Sequence, residues 1–388
     1  MSTNNIVLVD NETSLNVLNT FLSSLCEDKN VSVDTEFTRT KTYYPILDLV
    51  QICIDDTVYI VDPHALKLLS FFKAFVNTKA NCLFFSARED LEILSFEAHK
   101  LGLEKTLPEK CIDLQLMMAF LGLGYSKGLQ ATLEEELNVI LPKDQTRSDW
   151  SLRPLTDEQI VYAANDVLYL DKLYQSLISK FKHADPRLTW FYEEMDNLKD
   201  NCTIIPEPET AYLNAKGAGT ISLAELTVLK FLCQKRMEFA MENDVAQNRI
   251  ITGCALSPIA RLKNLSNASL AKAGVKPGAI RQYGKLVISW FNEAQKVPVE
   301  QDLEYPIEHI LSDRNVGKAV KKLKHVLSLI AKERGINEEL ISSKQLCYDY
   351  FKALKENSRP RLFTSWYQEC IGKEHQLPPF PEEQSYTL

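Results

Sequence analysis

Short apolar runs rich in Val, Ile, Tyr and Phe recur through the first part of the chain. Asn5–Val9, Val31–Phe37, Leu49–Ile54, Val58–Val61 and Cys82–Phe85 have the length and composition of strands. Around and after them, apolar residues return at helical spacing over Thr13–Cys26, Ala65–Val76, Leu91–Leu101, Gln115–Leu121, Leu129–Leu137 and Asp157–Lys180. Strands first and helices afterwards predict an α/β layer fold around one sheet, with three early strands close enough in sequence to pair as an antiparallel meander.

The periodicity weakens from Phe181, and Pro186, Pro206, Pro208, Gly217 and Gly219 punctuate the stretch that follows. This predicts a linker over residues 181–218, helical in part around Leu188–Leu198. Helical patterns then cover Ser222–Asn243, Pro258–Lys263, Ser266–Ala273, Lys276–Tyr283 and Gly284–Lys296. A second break holds Pro298 and Pro306, and Val316–Arg334, Ser342–Asn357 and Pro360–Gly372 are again helical. The chain thus divides into an α/β part (1–180), the linker, and two all-α parts (219–297 and 306–376), alike in size and helicity but without a residue-level repeat.

Composition adds compartment and charge. The length of 388 residues is enough for two or three domains, and 45% hydrophobic with 25% charged residues is the balance of a folded, globular chain. Nine scattered cysteines, an odd number with no Cys-x-x-Cys pair, suit buried thiols in a reducing compartment better than a disulfide framework or a zinc knuckle. With no signal-like start and no membrane-spanning apolar run, a cytoplasmic location is expected. The net charge of −8 speaks against a nucleic-acid partner only until it is divided. Residues 220–296 carry +6 and residues 311–374 carry +5, so the remainder is strongly acidic. Basic modules beside an acidic one fit an enzyme that holds a polyanion near a carboxylate site, although solvated helix surfaces give the same sums.

The candidate chemistry is carboxylic. In Val31-Ser-Val-Asp34-Thr-Glu36-Phe37, alternate strand residues share a face, so Asp34 and Glu36 converge. Paired carboxylates repel unless a cation lies between them, and hard oxygen donors select Mg²⁺ or Mn²⁺. The acidic side of an edge strand has the same pattern. Asp90 falls where a strand runs into a helix, a position an acid also takes as cap or dipole partner. Tyr162 and Asp166 are one helical turn apart on one face, as a buried structural tyrosine and an unrelated acid could be. Together the parts match phosphodiester hydrolysis, in which two divalent cations clamp the attacking water and the leaving oxygen and a phenol orients the water.

Three segments in this order resemble the ribonuclease D family. They are Asp34-Thr-Glu36-Phe-Thr-Arg39-Thr-Lys41-Thr-Tyr43-Tyr44-Pro45, then Arg88-Glu-Asp90-Leu-Glu, then Leu141-Pro-Lys143 through Arg147-Ser-Asp149-Trp150-Ser-Leu-Arg153-Pro154 followed by Tyr162-Ala-Ala-Asn-Asp166. The resemblance runs through the first 180 residues. It implies an RNase H-like exonuclease fold with a mixed sheet, Asp34, Glu36, Asp90 and Asp166 as holders of two Mg²⁺ or Mn²⁺ ions, and Tyr162 as the catalytic tyrosine. Val161 stands where another branch of the superfamily places a histidine, and Ser86 stands where many relatives have one. Among neighbours, Phe37 is a candidate to stack on a terminal base, and Arg39, Lys41, Arg147 and Arg153 to touch phosphates, with core packing and surface ion pairs as the competing accounts. Gln130 is a weaker substrate candidate, and Asp113 reads as a helix N-cap.

Residues 219–297 resemble an HRDC domain in Glu225-Leu-Thr-Val-Leu-Lys230, Arg236 to Ala246, Pro258-Ile-Ala-Arg261 and Leu265 to Gly284, and 306–376 has the size of a second one. The ribonuclease D resemblance implies a 3′-5′ exoribonuclease that releases nucleoside 5′-monophosphates from RNA, with tRNA precursors bearing free 3′ ends as substrates; no membrane partner is expected, and a monomer is the default. A proofreading-type exonuclease acting on DNA and a non-catalytic RNA-binding scaffold are the alternatives.

Overall fold

The computed structural model describes residues 6–141, 148–202, 207–306 and 314–379. Six strands form one mixed sheet in the order β1-β4-β3-β2-β5-β6. They are β1 (Ile6–Val9), β2 (Asn30–Thr38), β3 (Ile46–Ile54), β4 (Thr57–Val61), β5 (Asn81–Phe84) and β6 (Cys111–Asp113). The expected meander is present: β3 runs antiparallel to both β2 and β4, whereas β1 joins β4, and β5 and β6 extend β2, in parallel. The three-residue β6 was not anticipated, because Cys111–Asp113 is too short for a periodic signal and is buried against β5 on one side only of its ladder.

Helices α1 (Glu12–Ser24), α2 (Leu69–Val76), α3 (Arg88–Lys100), α4 (Leu114–Phe120), α5 (Leu129–Leu137), α6 (Asp157–Leu168), α7 (Leu170–Ile178) and α8 (Pro186–Asp200) accompany the sheet. The pattern over Asp157–Lys180 predicts one helix, but the chain turns at Tyr169, the C-cap of α6 and the N-cap of α7. The turn lets α6 lie on β2, β3 and β4 while α7 drives Leu170, Leu173 and Leu177 into a different cluster. In the stretch read as a linker, α8 buries Trp190, Phe191 and Met195.

The second half is helical: α9 (Leu223–Glu242), α10 (Gln247–Ile250), α11 (Gly253–Ala260), α12 (Asn267–Lys272), α13 (Pro277–Ala294), α14 (Arg314–Arg334), α15 (Lys344–Lys355) and α16 (Ser365–Ile371). The sequence pattern splits α13 at Gly284, yet the helix runs through it. A Cβ there would come to 2.9 Å from Asn267 Oδ1, so this glycine serves close packing of α12 and not a turn. Among the described residues no helix is long and apolar enough to cross a membrane.

Buried apolar side chains gather in three clusters among the described residues. Strand alternation decides two of them: Val50, Ile52, Tyr59 and Val61 point to one face and Leu49, Cys53, Val58 and Ile60 to the other, where α6 adds Ala163, Ala164 and Val167. The first cluster also takes in α14, α15 and α16. Trp366 is fully buried, lies 5.0 Å from the Phe120 ring and donates from Nε1 to Glu194 Oε2 at 2.8 Å. The middle helices have their own cluster, which receives Tyr43 from the β2–β3 loop. There Asp244 Oδ1 accepts the backbone N–H of both Tyr43 and Tyr44 at 3.0 Å, and Ala246 N–H donates to the Lys41 carbonyl at 2.9 Å. Tyr44 stacks on Phe96 of α3, 5.0 Å between centroids, so the loop is held from both sides.

Because the C-terminal helices share a core with the sheet, Trp366→Ala is expected to destabilise the whole unit by about 3–5 kcal/mol, the cost of emptying a large buried aromatic site. Urea denaturation followed by tyrosine and tryptophan fluorescence measures it.

Candidate metal centre

β2 carries Asp34 and Glu36 on the face that α6 covers, and β3 places Gln51 directly across from Asp34 and Leu49 across from Glu36. The register shifts just beyond, between Glu36 and Phe37, where Asp48 is the extra residue on β3. Such a bulge re-aims the side chains next to it. Asp48 is fully buried and accepts from Thr38 Oγ1 at 2.6 Å and from His64 Nε2 at 2.9 Å. Helix α6 begins with a capping box formed by Thr156 and Gln159, and presents Tyr162 and Asp166 one turn apart. One carboxylate oxygen each from Asp34, Glu36 and Asp166 lies within 4.8 Å of the others.

Asp90 reaches the group from the first turn of α3. The Thr35 hydroxyl, on the strand position between the two acids, donates to Asp90 Oδ1 at 2.5 Å. The turn that launches α3 is fixed by Asp113. Its carboxylate accepts the backbone N–H of Ser86 (2.9 Å) and Ala87 (3.0 Å) as well as those of Gln115 and Leu116, so it caps α4 as expected and braces α3 too. Ser86 adopts the left-handed conformation, φ 66°.

The electrostatics follow from crowding. Burial first, then the charges of Asp90, Asp166 and Glu36, push Asp34 well above the usual carboxylate range. Burial, Asp166, Asp90 and Asp48 raise Glu36 to about 8. Burial raises Asp90 to about 7 against the opposing hydrogen bonds of Thr35. Among the described residues Asp34, Glu36 and Asp90 form no ion pair with a lysine or arginine. An all-oxygen anionic donor set fits a hard divalent ion and not a soft one.

The remaining sequence candidates separate. Tyr162 lies one turn ahead of Asp166 on α6, its ring 5.9 Å from that of Trp150. Phe37 points to the opposite face and packs against the first cluster. Arg39 and Lys41 are exposed, and among the described residues neither forms an ion pair. Gln130 donates to the Leu141 carbonyl at 3.1 Å and braces α5. Arg147 lies outside the described residues.

Arg153 is engaged inward. Its Nε and one terminal nitrogen donate to Asp62 at 2.7 and 2.9 Å, and the terminal nitrogens also donate to the carbonyls of Trp150, Leu152 and Asp48 at 2.7–2.8 Å. All of a guanidinium's five donors are thereby used. The ion-pair account, and not a phosphate contact, is the one this geometry supports. Sequence reasoning had no place for Thr35, Asp48, Gln51 or Asp62. The polar residues at Asp48 and Gln51, inside a strand otherwise buried and apolar, were the available signal.

A family model described as 3′-5′ exonuclease matches residues 7–182. The chain is 31% identical to ribonuclease D of Shewanella sp. (strain ANA-3), over 92% of this chain and 90% of that one. It is 30% identical to ribonuclease D of Haemophilus influenzae, over 95% and 91% respectively. Among solved structures, that of Escherichia coli RNase D, described as an exoribonuclease involved in structured RNA processing, superposes with a TM-score of 0.79 at 26% identity, covering 95% of this chain and 96% of that one.

Two outcomes are expected. Acids with raised native pKa values stabilise the metal-free fold below about pH 4, and that contribution is lost as the pH climbs through about 8. Melting temperature in EDTA should therefore fall between about pH 5 and pH 8, Mn²⁺ should reverse the fall, and Glu36→Gln should flatten it. Arg153→Ala should cost about 3–5 kcal/mol in urea denaturation by leaving Asp62 buried and unpaired, while the salt dependence of RNA binding keeps its slope.

Proposed function

The chain belongs to the ribonuclease D family and is a 3′-5′ exoribonuclease, and on that footing we propose that it works through two divalent cations, Mg²⁺ or Mn²⁺, held by Asp34, Glu36, Asp90 and Asp166. The observation that carries this reading is the convergence of three carboxylate oxygens within 4.8 Å, with Asp90 brought in beside them by Thr35. Bound there, the cations lower the pKa of the attacking water and neutralise charge at the phosphodiester.

The chain's own groups supply the rest. Asp34 and Glu36 stand on a central strand, paired with β3 at both positions and anchored to β5 just before them at Asn30–Ser32, so the ladder fixes their positions. Tyr162, one turn ahead of Asp166, directs its phenol to the water that attacks phosphorus. Its ring is seated against Trp150, which limits its freedom. The products are nucleoside 5′-monophosphates. Arg39 and Lys41, on the loop that follows Glu36, hold the RNA backbone as it enters.

The substrates are structured RNAs with free 3′ ends, tRNA precursors among them, and the protein acts as a monomer. Residues 219–297 and 306–376 serve as two HRDC-type modules. Their net charges of +6 (residues 220–296) and +5 (residues 311–374) suit contacts to RNA backbone, which depend on salt and little on sequence.

End-labelled RNA and matched DNA single strands, incubated with Mg²⁺ or Mn²⁺, test the proposal. Asp34→Ala and Asp166→Asn should each slow release of 5′-monophosphates by at least ~10³-fold, since the cations contribute several kcal/mol to the transition state. RNA affinity in EDTA should stay within about twofold of wild type, as its backbone contacts lie elsewhere. Wild-type rates in either variant would remove the metal assignment.

A further inference from the structure

Gln51 is fully buried in the middle of β3, and among the described residues neither Nε2 nor Oε1 has a hydrogen-bond partner. Buried amides without partners are rare because each end forfeits its hydrogen bonds to water with nothing in return. On its face of the sheet the neighbours along the strand are Leu49 and Cys53, the neighbour on β4 is Ile60, and α6 lies above with Ala163, Ala164 and Val167. All of these are apolar or nearly so. An aliphatic residue would fill the position without the penalty.

The neighbour on the remaining side is Asp34, directly across on β2. Directly opposed residues have Cβ atoms about 4.5–5.5 Å apart, and a glutamine amide extends one methylene further than an aspartate carboxylate, so rotation about the Gln51 side chain brings Nε2 to the Asp34 oxygens. An ionised Asp34 with one oxygen turned to a cation leaves the other free to accept.

We infer that Gln51 is a positioning residue for the metal centre: its amide donates to the Asp34 carboxylate once a divalent cation is bound and fixes the orientation in which Asp34 holds it. The inference rests on the reading of the four acids as metal holders. Partners of this kind orient the ligand and raise its affinity for the ion, and their loss weakens binding by about 10–100-fold.

The test uses the full chain without RNA. Gln51→Leu and Gln51→Met are compared with wild type and Asp34→Asn by calorimetric titration with Mn²⁺ and by thermal melting in EDTA. Both Gln51 variants are expected to bind Mn²⁺ at least about tenfold more weakly while melting in EDTA at or above the wild-type temperature. The second readout separates positioning from packing, because a residue that merely holds the core together would lower the EDTA melting point. Mn²⁺ affinity within about twofold of wild type in the Gln51 variants, or a lower EDTA melting point in both, overturns the inference. If Asp34→Asn loses Mn²⁺ while the Gln51 variants keep it, only this inference falls. If Asp34→Asn binds like wild type, the metal-centre reading falls with it.

Discussion

Carboxylates gathered in a half-buried pocket repel one another, and much of the surrounding structure can be read as the means of keeping them together regardless. Two come from a strand that is paired with β3 along the acidic stretch and with β5 just before it, and which cannot yield without breaking ladder hydrogen bonds. One comes from a helix whose launch is held by the backbone N–H groups of Ser86 and Ala87 on Asp113. The last comes from α6, whose approach to β3 and β4 is anchored by Arg153 on Asp62 and on the Asp48 carbonyl. Burial and the neighbouring acidic charges favour the neutral form, pushing Glu36 up to about 8, and burial pushes Asp90 up to about 7.

The same economy explains the polar residues buried in β3. Asp48 occupies a bulge and gathers Thr38, His64 and Arg153 around itself, so its desolvation is matched by partners. Gln51, one pleat further on the Asp34 side, has none among the described residues. Two buried polar side chains in one strand thus differ in kind, one completing the scaffold and the other waiting on the site.

The sheet and the pairing of Asp34 with Glu36 and of Tyr162 with Asp166 were legible because they leave periodic marks, whereas Asp90, at a strand–helix junction, stood on the family resemblance alone. Asp34 and Glu36 stand two apart in an apolar run, Tyr162 and Asp166 four apart in a helical one, and the meander shows in the short connections between runs. What stayed hidden depends on contacts across the chain. Thr35 is unremarkable in sequence and acts only because α3 begins beside it. Arg153 was indistinguishable from a phosphate-binding arginine until Asp62 was found ninety-one positions away holding it. Gly284 marks a break by propensity and a close approach by packing, and only the position of α12 decides between them. The fate of the C-terminal helices was hidden for the same reason, since nothing local says that Trp366 will sit on Phe120.

Asp244, in a turn of the middle helical unit, takes up the amide groups of Tyr43 and Tyr44, a few residues along the chain from Glu36. The loop between β2, which carries the acids, and β3 is thus shaped by a side chain contributed two hundred residues later. Neither partner is autonomous: an exonuclease unit cut away from its helices would keep its acids yet lose the template for that loop. Exchanging the helical unit between relatives would accordingly require the tyrosine loop to travel with it, so the two are expected to be inherited as one piece.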